Sequence, residues 1–509
     1  MFVRVHTGAI AGIEAVDVTV EVNVAGGGIG LYIVGLPDNT IKESEQRIVA
    51  AFGNSGYHMT AKKIVVNLAP ADLRKEGSLY DLPIAVGILQ ATEQIESKLL
   101  EESMFIGELS LNGTLRPVKG VLPLVAMARE RGLKRVFLPM ENVAEGAVVD
   151  GIEVIGASSL LELCEMIIGH IPYTAAEHTI CEDETIGRDD YTEDFADVKG
   201  QAYVKRALEI AAAGGHNIIM IGSPGSGKTM LARRLPTIMP PMTLEEALET
   251  TKIHSVAGKM GAHRGLITSR PFRSPHHLTS QVALIGGGQS PQPGEVSLAN
   301  NGVLFLDEMP EFGRNVLEVL RQPLEDRHIT ISRAKYTVDY PANFTLVASM
   351  NPCPCGYYNH PTKECTCSAA AVHRYKGHIS GPLMDRIDIH VEVVPVSIAE
   401  MSKSGREESS AAVRERVVAA RNIQLERFRD VAIHCNAMMN SAMLRRFAPL
   451  DKACSELLER AMTHLNLSAR AYDRIIKVAR TIADLEGAAD IAPQHISEAI
   501  GYRSLDREN

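Results

Sequence analysis

No apolar run in the 509-residue sequence approaches the roughly 18 residues that a membrane-spanning helix needs, so the chain does not read as an integral membrane protein. A signal-peptide core is also missing: Arg4 is followed by a strand-like alternation, and a cytoplasmic location is the resulting expectation. Basic residues are not in excess, with 52 Lys+Arg against 62 Asp+Glu, a net charge of −10 and a pI near 6.0. That excludes a wholly basic nucleic-acid binder but leaves room for a local basic surface inside a ring. Eight cysteines in so long a chain do not make a disulfide framework. Repeats and low-complexity tracts are absent too. What remains is an ordinary globular composition, 45% hydrophobic and 22% charged, long enough for several domains.

Residues 1–170 alternate strand and helix patterns. Val16, Val18, Val20, Val22 and Val24 share one face of a strand that Gly26-Gly27-Gly28 ends. Helices are predicted at 40–56, 81–92, 119–132 and 158–168, and strands at 64–68, 104–108, 135–138 and 152–155. Acidic residues from Glu182 to Asp197 then accumulate, and 171–197 reads as an acidic linker. Residues 198–396 alternate again, as a parallel α/β domain does. From 397 to 509 the pattern is helical, with helices at 408–430, 440–447, 451–465, 468–486 and 493–502. The predicted class is α/β multidomain with a helical C-terminal domain.

A strand at 217–221 runs into Gly222-Ser223-Pro224-Gly225-Ser226-Gly227-Lys228-Thr229 and a helix from near Met230. Glycines there let backbone N–H groups face phosphate oxygens at a helix N-terminus. Lys228 is placed to reach the β- and γ-phosphates of ATP and Thr229 to ligate Mg²⁺. Gly302-Val303-Leu304-Phe305-Leu306-Asp307-Glu308 reads as a buried parallel strand ending in two carboxylates, Asp307 for the Mg²⁺ shell and Glu308 to polarise the attacking water. Asn351 stands just past a third apolar strand, 344–349, where it can meet that water. Three such motifs at successive strand ends imply an ATPase.

These motifs resemble the AAA+ ATPases, and within them the magnesium-chelatase-like branch. The segment 381–390 resembles the family's arginine-finger segment, which puts Arg386 at the finger, with an ion pair to Asp385 or Asp388 as its structural alternative. Ser468-Ala469-Arg470 resembles the sensor-2 motif of a helical lid, giving Arg470. Asn351 stands where sensor 1 is expected. Segments 270–277, 286–288 and 293–308 are similar to one subgroup, the ComM/YifB type associated with bacterial natural transformation. The resemblance implies a homo-hexameric, ATP-driven DNA helicase that promotes branch migration, with single-stranded, duplex or branched DNA in a central pore and no membrane. Because Arg386 precedes the last strand of its sheet, its guanidinium is expected to serve a neighbour's nucleotide.

Residues 251–295 carry Lys252, His254, Lys259, His263, Arg264, Arg270 and Arg273, and 328–340 reads as a hairpin turning at Ser332-Arg333-Ala334-Lys335. In related AAA+ proteins both segments line the pore, which would let Arg333 and Lys335 meet DNA phosphates. Cys353, Cys355, Cys365 and Cys367 crowd into fifteen residues. They could close a tetrahedral Zn²⁺ site, stay reduced, or hold an iron–sulfur cluster or redox pair.

Residues 61–138 resemble the Lon-protease fold. Asp81 stands at the position of its serine nucleophile and Leu122 at that of its lysine, with Ser78 and Lys119 nearby, so a non-proteolytic domain is expected. Lys62, Lys63, Arg74 and Lys75 are candidate phosphate contacts there. Two other readings stand beside the DNA motor: a chelatase-type or protein-remodelling ATPase, and an ATP-dependent protease.

Overall fold

The computed structural model describes residues 1–509 except 27, 179–190, 262–264, 289–290, 334–335, 361, 397–406, 466 and 504–509. It divides into two compact units, one of Met1–Thr185 with Leu244–Ile267, the other of Ile186–Thr243 with Thr268–Asn509.

In the first unit Phe2–Ala11 and Glu14–Ala25 pair antiparallel, with Val3 opposite Val22 and Val5 opposite Val20. The two-residue strand period puts Val18, Val20 and Val22 wholly inside, while Val16 emerges at 38% exposure. The predicted valine face is therefore buried in its middle and open at one end. A seven-stranded mixed sheet runs in the order Gly30–Val34, Lys63–Ala69, Glu14–Ala25, Phe2–Ala11, Ser103–Phe105, Arg135–Pro139, Glu153–Ala157. The predicted helices are observed as Asn39–Asn54, Asp81–Ala91, Val121–Glu130 and Leu160–Ile167. Asp81–Ala91 is apolar all round and almost entirely buried, as a core helix must be.

Leu244–Val256 also packs in this unit, although its sequence interrupts the other one. Gly120 N–H donates to the Ser255 carbonyl at 3.1 Å, the Ser255 hydroxyl donates to the Glu145 carboxylate, and Lys252 pairs with Glu14 at 2.8 Å. Of the proposed acidic linker, 179–190 lies outside the described residues, and its end forms a 3-10 turn at Phe195–Asp197 with Phe195 buried in the core of the second unit.

The second unit is built on a five-stranded parallel sheet, ordered Phe272–Arg273, Val303–Leu306, Thr345–Met350, Ile218–Ile221, Ile389–Glu392. Val303–Leu306, Thr345–Met350 and Ile218–Ile221 are buried at every position, as strands covered on both faces are. The strand order reverses at Ile218–Ile221, and the crevice beyond the carboxyl end of such a strand is where open α/β sheets bind ligands. The helices predicted beyond residue 397 are Ser410–Arg427, Ser441–Phe447, Lys452–His464, Ala469–Leu485 and Pro493–Gly501. The hairpin is present as His328–Arg333 against Tyr336–Pro341, with Ile331 opposite Val338. Lys335 and the side chain of Arg333, the two candidate DNA contacts, lie outside the described residues.

Candidate nucleotide site and thiolate cluster

The chain leaves Ile221 and reaches the helix Lys228–Ile238 through a glycine-rich turn. The helix starts two residues earlier than predicted, because Gly227, in the left-handed region at φ 92, is its N-cap. Gly222 has no room for a side chain: a Cβ would stand 2.4 Å from the Val393 carbonyl oxygen and 2.8 Å from Ser226 Oγ. The hydroxyls of Ser223 and Ser226 are buried without a hydrogen-bond partner among the described residues. With the free N–H groups of the helix start they make a donor-rich cradle suited to phosphate oxygens.

Lys228 is 8% exposed and its ammonium donates to the carbonyls of Gly222 at 2.6 Å and Ser223 at 3.0 Å, and to Asn351 Oδ1 at 3.2 Å. Burial lowers its pKa, while the charges of Asp307 and Glu308 work the other way. Thr229 Oγ1 donates to Asp307 Oδ2 at 2.9 Å, and the Ser349 hydroxyl donates to the other oxygen of that carboxylate. A hydroxyl and a carboxylate so placed are hard oxygen donors that suit Mg²⁺. Ser349 also accepts the backbone N–H of Glu308 at 3.1 Å, so it holds both acidic positions. It escaped notice in the sequence, although a serine inside an otherwise apolar strand was the available signal. Glu308 itself is exposed and sits at φ 52, a left-handed conformation that costs a non-glycine residue roughly 1–2 kcal/mol.

Arg386 and Arg470 are elsewhere. Ile389–Glu392 runs beside Ile218–Ile221 with Ile218 opposite Ile389 and Ile221 opposite Glu392, so the segment before Ile389 lies at the sheet end remote from the glycine-rich turn. Arg386 is folded onto the Glu325 carboxylate and donates to the Pro382 carbonyl at 2.7 Å, leaving its side chain 12% exposed. Neither anticipated partner is used: Asp385 accepts from Arg470 at 3.3 Å, and Asp388 is bound by Arg474 and His216. Arg470 is thus beside the finger segment, not the glycine-rich turn of its own chain.

The four cysteine sulfurs lie within 4.8 Å of one another. Cys353 and Cys355 are 3.3 Å apart, Cys353 and Cys365 3.7 Å, Cys355 and Cys365 3.6 Å. Four thiolates bound to zinc at about 2.3 Å in a tetrahedron stand about 3.8 Å apart, so the set has the dimensions of such a site. Backbone N–H groups of Tyr357 and Thr366 hold the Cys355 thiol down to about 6, and Tyr358 N–H donates to Cys353 Sγ at 3.3 Å. Among the described residues, Cys164, Cys435 and Cys454 are separate and buried.

Several basic candidates are engaged inside the chain. Arg270 donates to the carbonyls of Pro240, Asn301 and Pro241, and Arg273 pairs with Glu295 at 2.6 Å. In the first unit Lys75 is fully buried with its ammonium on the Pro70 carbonyl, which removes it as a phosphate contact. Arg74 pairs with Glu76 at 3.0 Å. Asp81 is buried, accepting from Ser44 at 2.5 Å, Arg47 at 2.6 Å and Leu109 N–H at 3.2 Å. Leu122 is buried, and the Ser78 hydroxyl donates to Glu108.

A phosphate cradle, a hydroxyl–carboxylate pair and a polar residue on three neighbouring parallel strands define a P-loop nucleotide-binding domain. The family described as magnesium chelatase, subunit ChlI, matches residues 194–401, that described as subunit ChlI of Mg-chelatase matches 20–142, and that described as magnesium chelatase, subunit ChlI C-terminal, matches 407–503. The chain is 43% identical over 505 residues to competence protein ComM of Haemophilus influenzae, covering 99% of this chain and 97% of that protein. It is 43% identical over 504 residues to the uncharacterized protein YifB of Escherichia coli K12, with the same coverage. The chain therefore belongs to the ComM/YifB type of magnesium-chelatase-like AAA+ proteins, a family that implies ATPase chemistry with ATP and Mg²⁺. A shorter match, 28% identity over 134 residues to Lon protease 2 of Bacillus subtilis, covers 26% of the chain. No helix among the described residues is long and apolar enough to cross a membrane.

Proposed function

We propose that the protein is an ATP-driven DNA translocase, acting as a homo-hexamer and promoting branch migration of recombination intermediates during natural transformation. The observation that carries the motor reading is the separation of Arg386 and Arg470 from the glycine-rich turn on the same sheet. Arginines so placed serve a nucleotide only if another subunit supplies it, which makes hydrolysis a property of the ring. A finger supplied in trans contributes about 10³–10⁵ in rate.

In this reading residues 222–229 bind the phosphates, Lys228 neutralises their charge and Asn351 fixes Lys228. Thr229 and Asp307 would hold Mg²⁺, which would supply charge neutralisation at the reacting phosphate. Glu308 polarises the attacking water and takes its proton. Arg386 leaves Glu325 for the neighbour's γ-phosphate, and Arg470 follows it. DNA as the substrate rests on whole-length similarity to a competence protein and on the basic hairpin. Arg270, Arg273 and Lys252 are committed inside the chain, and Arg333 and Lys335 of the hairpin are the proposed grip. The domains follow: a non-proteolytic Lon-like region over 1–170, the ATPase over 198–396 and the lid over 397–509. Cys353, Cys355, Cys365 and Cys367 bind Zn²⁺, on the spacing of their sulfurs.

The test is the ATPase rate with and without single-stranded, duplex and four-way-junction DNA. DNA should stimulate hydrolysis, and Arg333→Ala with Lys335→Ala should abolish that stimulation and junction movement while basal hydrolysis survives. The salt slope of DNA binding should fall by about one per lost phosphate contact. Match to chelatase-subunit families over much of the chain favours one second reading, a remodelling ATPase that never touches DNA. Hydrolysis indifferent to every DNA form, with no junction moved, would establish it instead.

A further inference from the structure

The thiolate cluster touches the nucleotide cradle at two places. Cys353 follows Asn351 by two residues, and Asn351 Oδ1 accepts from Lys228 Nζ at 3.2 Å. Gly356 closes the turn after Cys355, its N–H donating to the Cys353 carbonyl at 2.9 Å, and lies at φ +82. Its missing side chain matters, because a Cβ there would stand 2.5 Å from Pro224 Cδ in the glycine-rich turn. A third tie comes from the helix Ala369–Lys376 beyond the second cysteine pair, where Tyr375 stands beside the backbone of Asn351.

Between Met350 and Ala369 the described residues form no helix or strand. Without secondary structure such a segment has little to hold its shape except its side chains, and metal-bound thiolates couple local folding to metal binding. Four uncrosslinked thiols would leave Gly356 free to leave Pro224 and Asn351 free to leave Lys228. We propose that zinc bound by Cys353, Cys355, Cys365 and Cys367 sets the shape of the nucleotide-binding turn, so that tight ATP binding requires the loaded cluster. This rests on the zinc reading above.

Three measurements on the full-length protein test it: metal content by mass spectrometry, affinity for a fluorescent ATP analogue, and amide exchange over 222–229. Protein purified without chelator should hold about one zinc per chain. A zinc-selective chelator, with Mg²⁺ kept in excess, should weaken nucleotide binding by a factor of about ten to a hundred, the effect of losing a charge-assisted hydrogen bond. Exchange over 222–229 should rise while that of Ala469–Leu485 stays unchanged, and added zinc should restore both. Gly356→Ala keeps all four thiolates and should retain zinc, yet bind the analogue about tenfold more weakly because its methyl meets Pro224. Absence of zinc would overturn the zinc reading and this inference with it. Full zinc, with nucleotide affinity unchanged by chelation and by Gly356→Ala, would overturn the coupling alone. Exchange rising across the whole unit on chelation would also overturn it, since zinc would then support the fold at large.

Discussion

Asp81 and Asp307 are both aspartates at the end of a secondary-structure element, one in each unit, and their surroundings differ. Asp81 opens a helix with no exposure, and its oxygens are taken by a guanidinium, a hydroxyl and a backbone N–H. Asp307 ends a strand, half-buried, and accepts from two neutral hydroxyls, with Glu308 exposed beside it. The first charge is already neutralised inside the chain, so it works as an anchor for the fold. The second keeps much of its negative field and can still take a cation. Residue type alone does not separate structural from chemical carboxylates; what neutralises them does.

The largest effect expected from breaking this contrast is on rate. Glu308→Gln keeps shape and removes the proposed proton acceptor, so steady-state ATP hydrolysis should fall by about 10²–10⁴ while nucleotide still binds. Thermal stability should hold or rise slightly, since the side chain is exposed. Wild-type turnover in this variant would remove Glu308 from the mechanism.

Asp81→Ala should do the reverse. It strips the partner from Arg47 and leaves buried donors at Ser44 and Leu109, at a cost of about 3 kcal/mol to the first unit. Chemical denaturation followed by a probe in residues 1–170 reads that loss. Hydrolysis by the folded fraction should stay near wild type; a fall comparable to that of Glu308→Gln would show that the first unit takes part in the chemistry.

Both outcomes bear on what the sequence displays. The strand–turn–helix at 217–238 and the acidic strand end are local in sequence, and local patterns fix local geometry, so the cradle was legible. The valine alternation likewise placed the Glu14–Ala25 strand, although not its partner Phe2–Ala11, whose pairing supplies the burial. Leu244–Ile267 sits in sequence within the second unit but packs in the first, because nothing within an insertion says which element it will pack against. The Glu325 partner of Arg386 was equally hidden, sixty-one positions away where nearer aspartates offered themselves. Ser349 was in plain view. Polar residues inside apolar strands repay inspection when a carboxylate ends the next strand.

A smaller effect concerns pH. His216 is fully buried between Asp388 and Thr481, and burial lowers its pKa despite the aspartate, so the contact to Asp388 at 3.3 Å is that of a neutral imidazole. Arg474 and Lys477 face the same carboxylate, whose pKa lies well below the ordinary range through their charges and His216, against the opposing effect of burial. A group with a depressed folded pKa contributes fully above its unfolded value and progressively less as pH falls toward the folded one. For His216 the loss begins near pH 6.5, its usual unfolded value. The second unit should therefore weaken as pH falls below about 6.5, through His216 and through His390, which is also fully buried with its pKa held well below the usual value. His216→Gln should make that slope shallower; an unchanged slope would assign it to His390 and other groups.

The smallest effect uses one device present in both units. Ser159 caps the helix Leu160–Ile167 by accepting Glu162 N–H at 3.2 Å, and Ser468 caps Ala469–Leu485 by accepting Ala471 N–H at 3.2 Å. Replacing either by alanine removes one acceptor from a helix start and should cost about 1 kcal/mol, seen as faster amide exchange in the first turn. The consequences should differ. Leu160–Ile167 presents no residue of the proposed mechanism, whereas Arg470 is the second residue of its helix and reaches Asp385, next to Arg386 in the chain. A frayed first turn there spreads Arg470 over more positions, so Ser468→Ala should lower the ATPase rate by a factor of about five, the equivalent of the lost cap energy. Ser159→Ala should leave it unchanged. Equal rates in the two variants, with equal fraying confirmed by exchange, would mean that Arg470 reaches its target without a fixed helix start, and its proposed role would pass to another residue of that face.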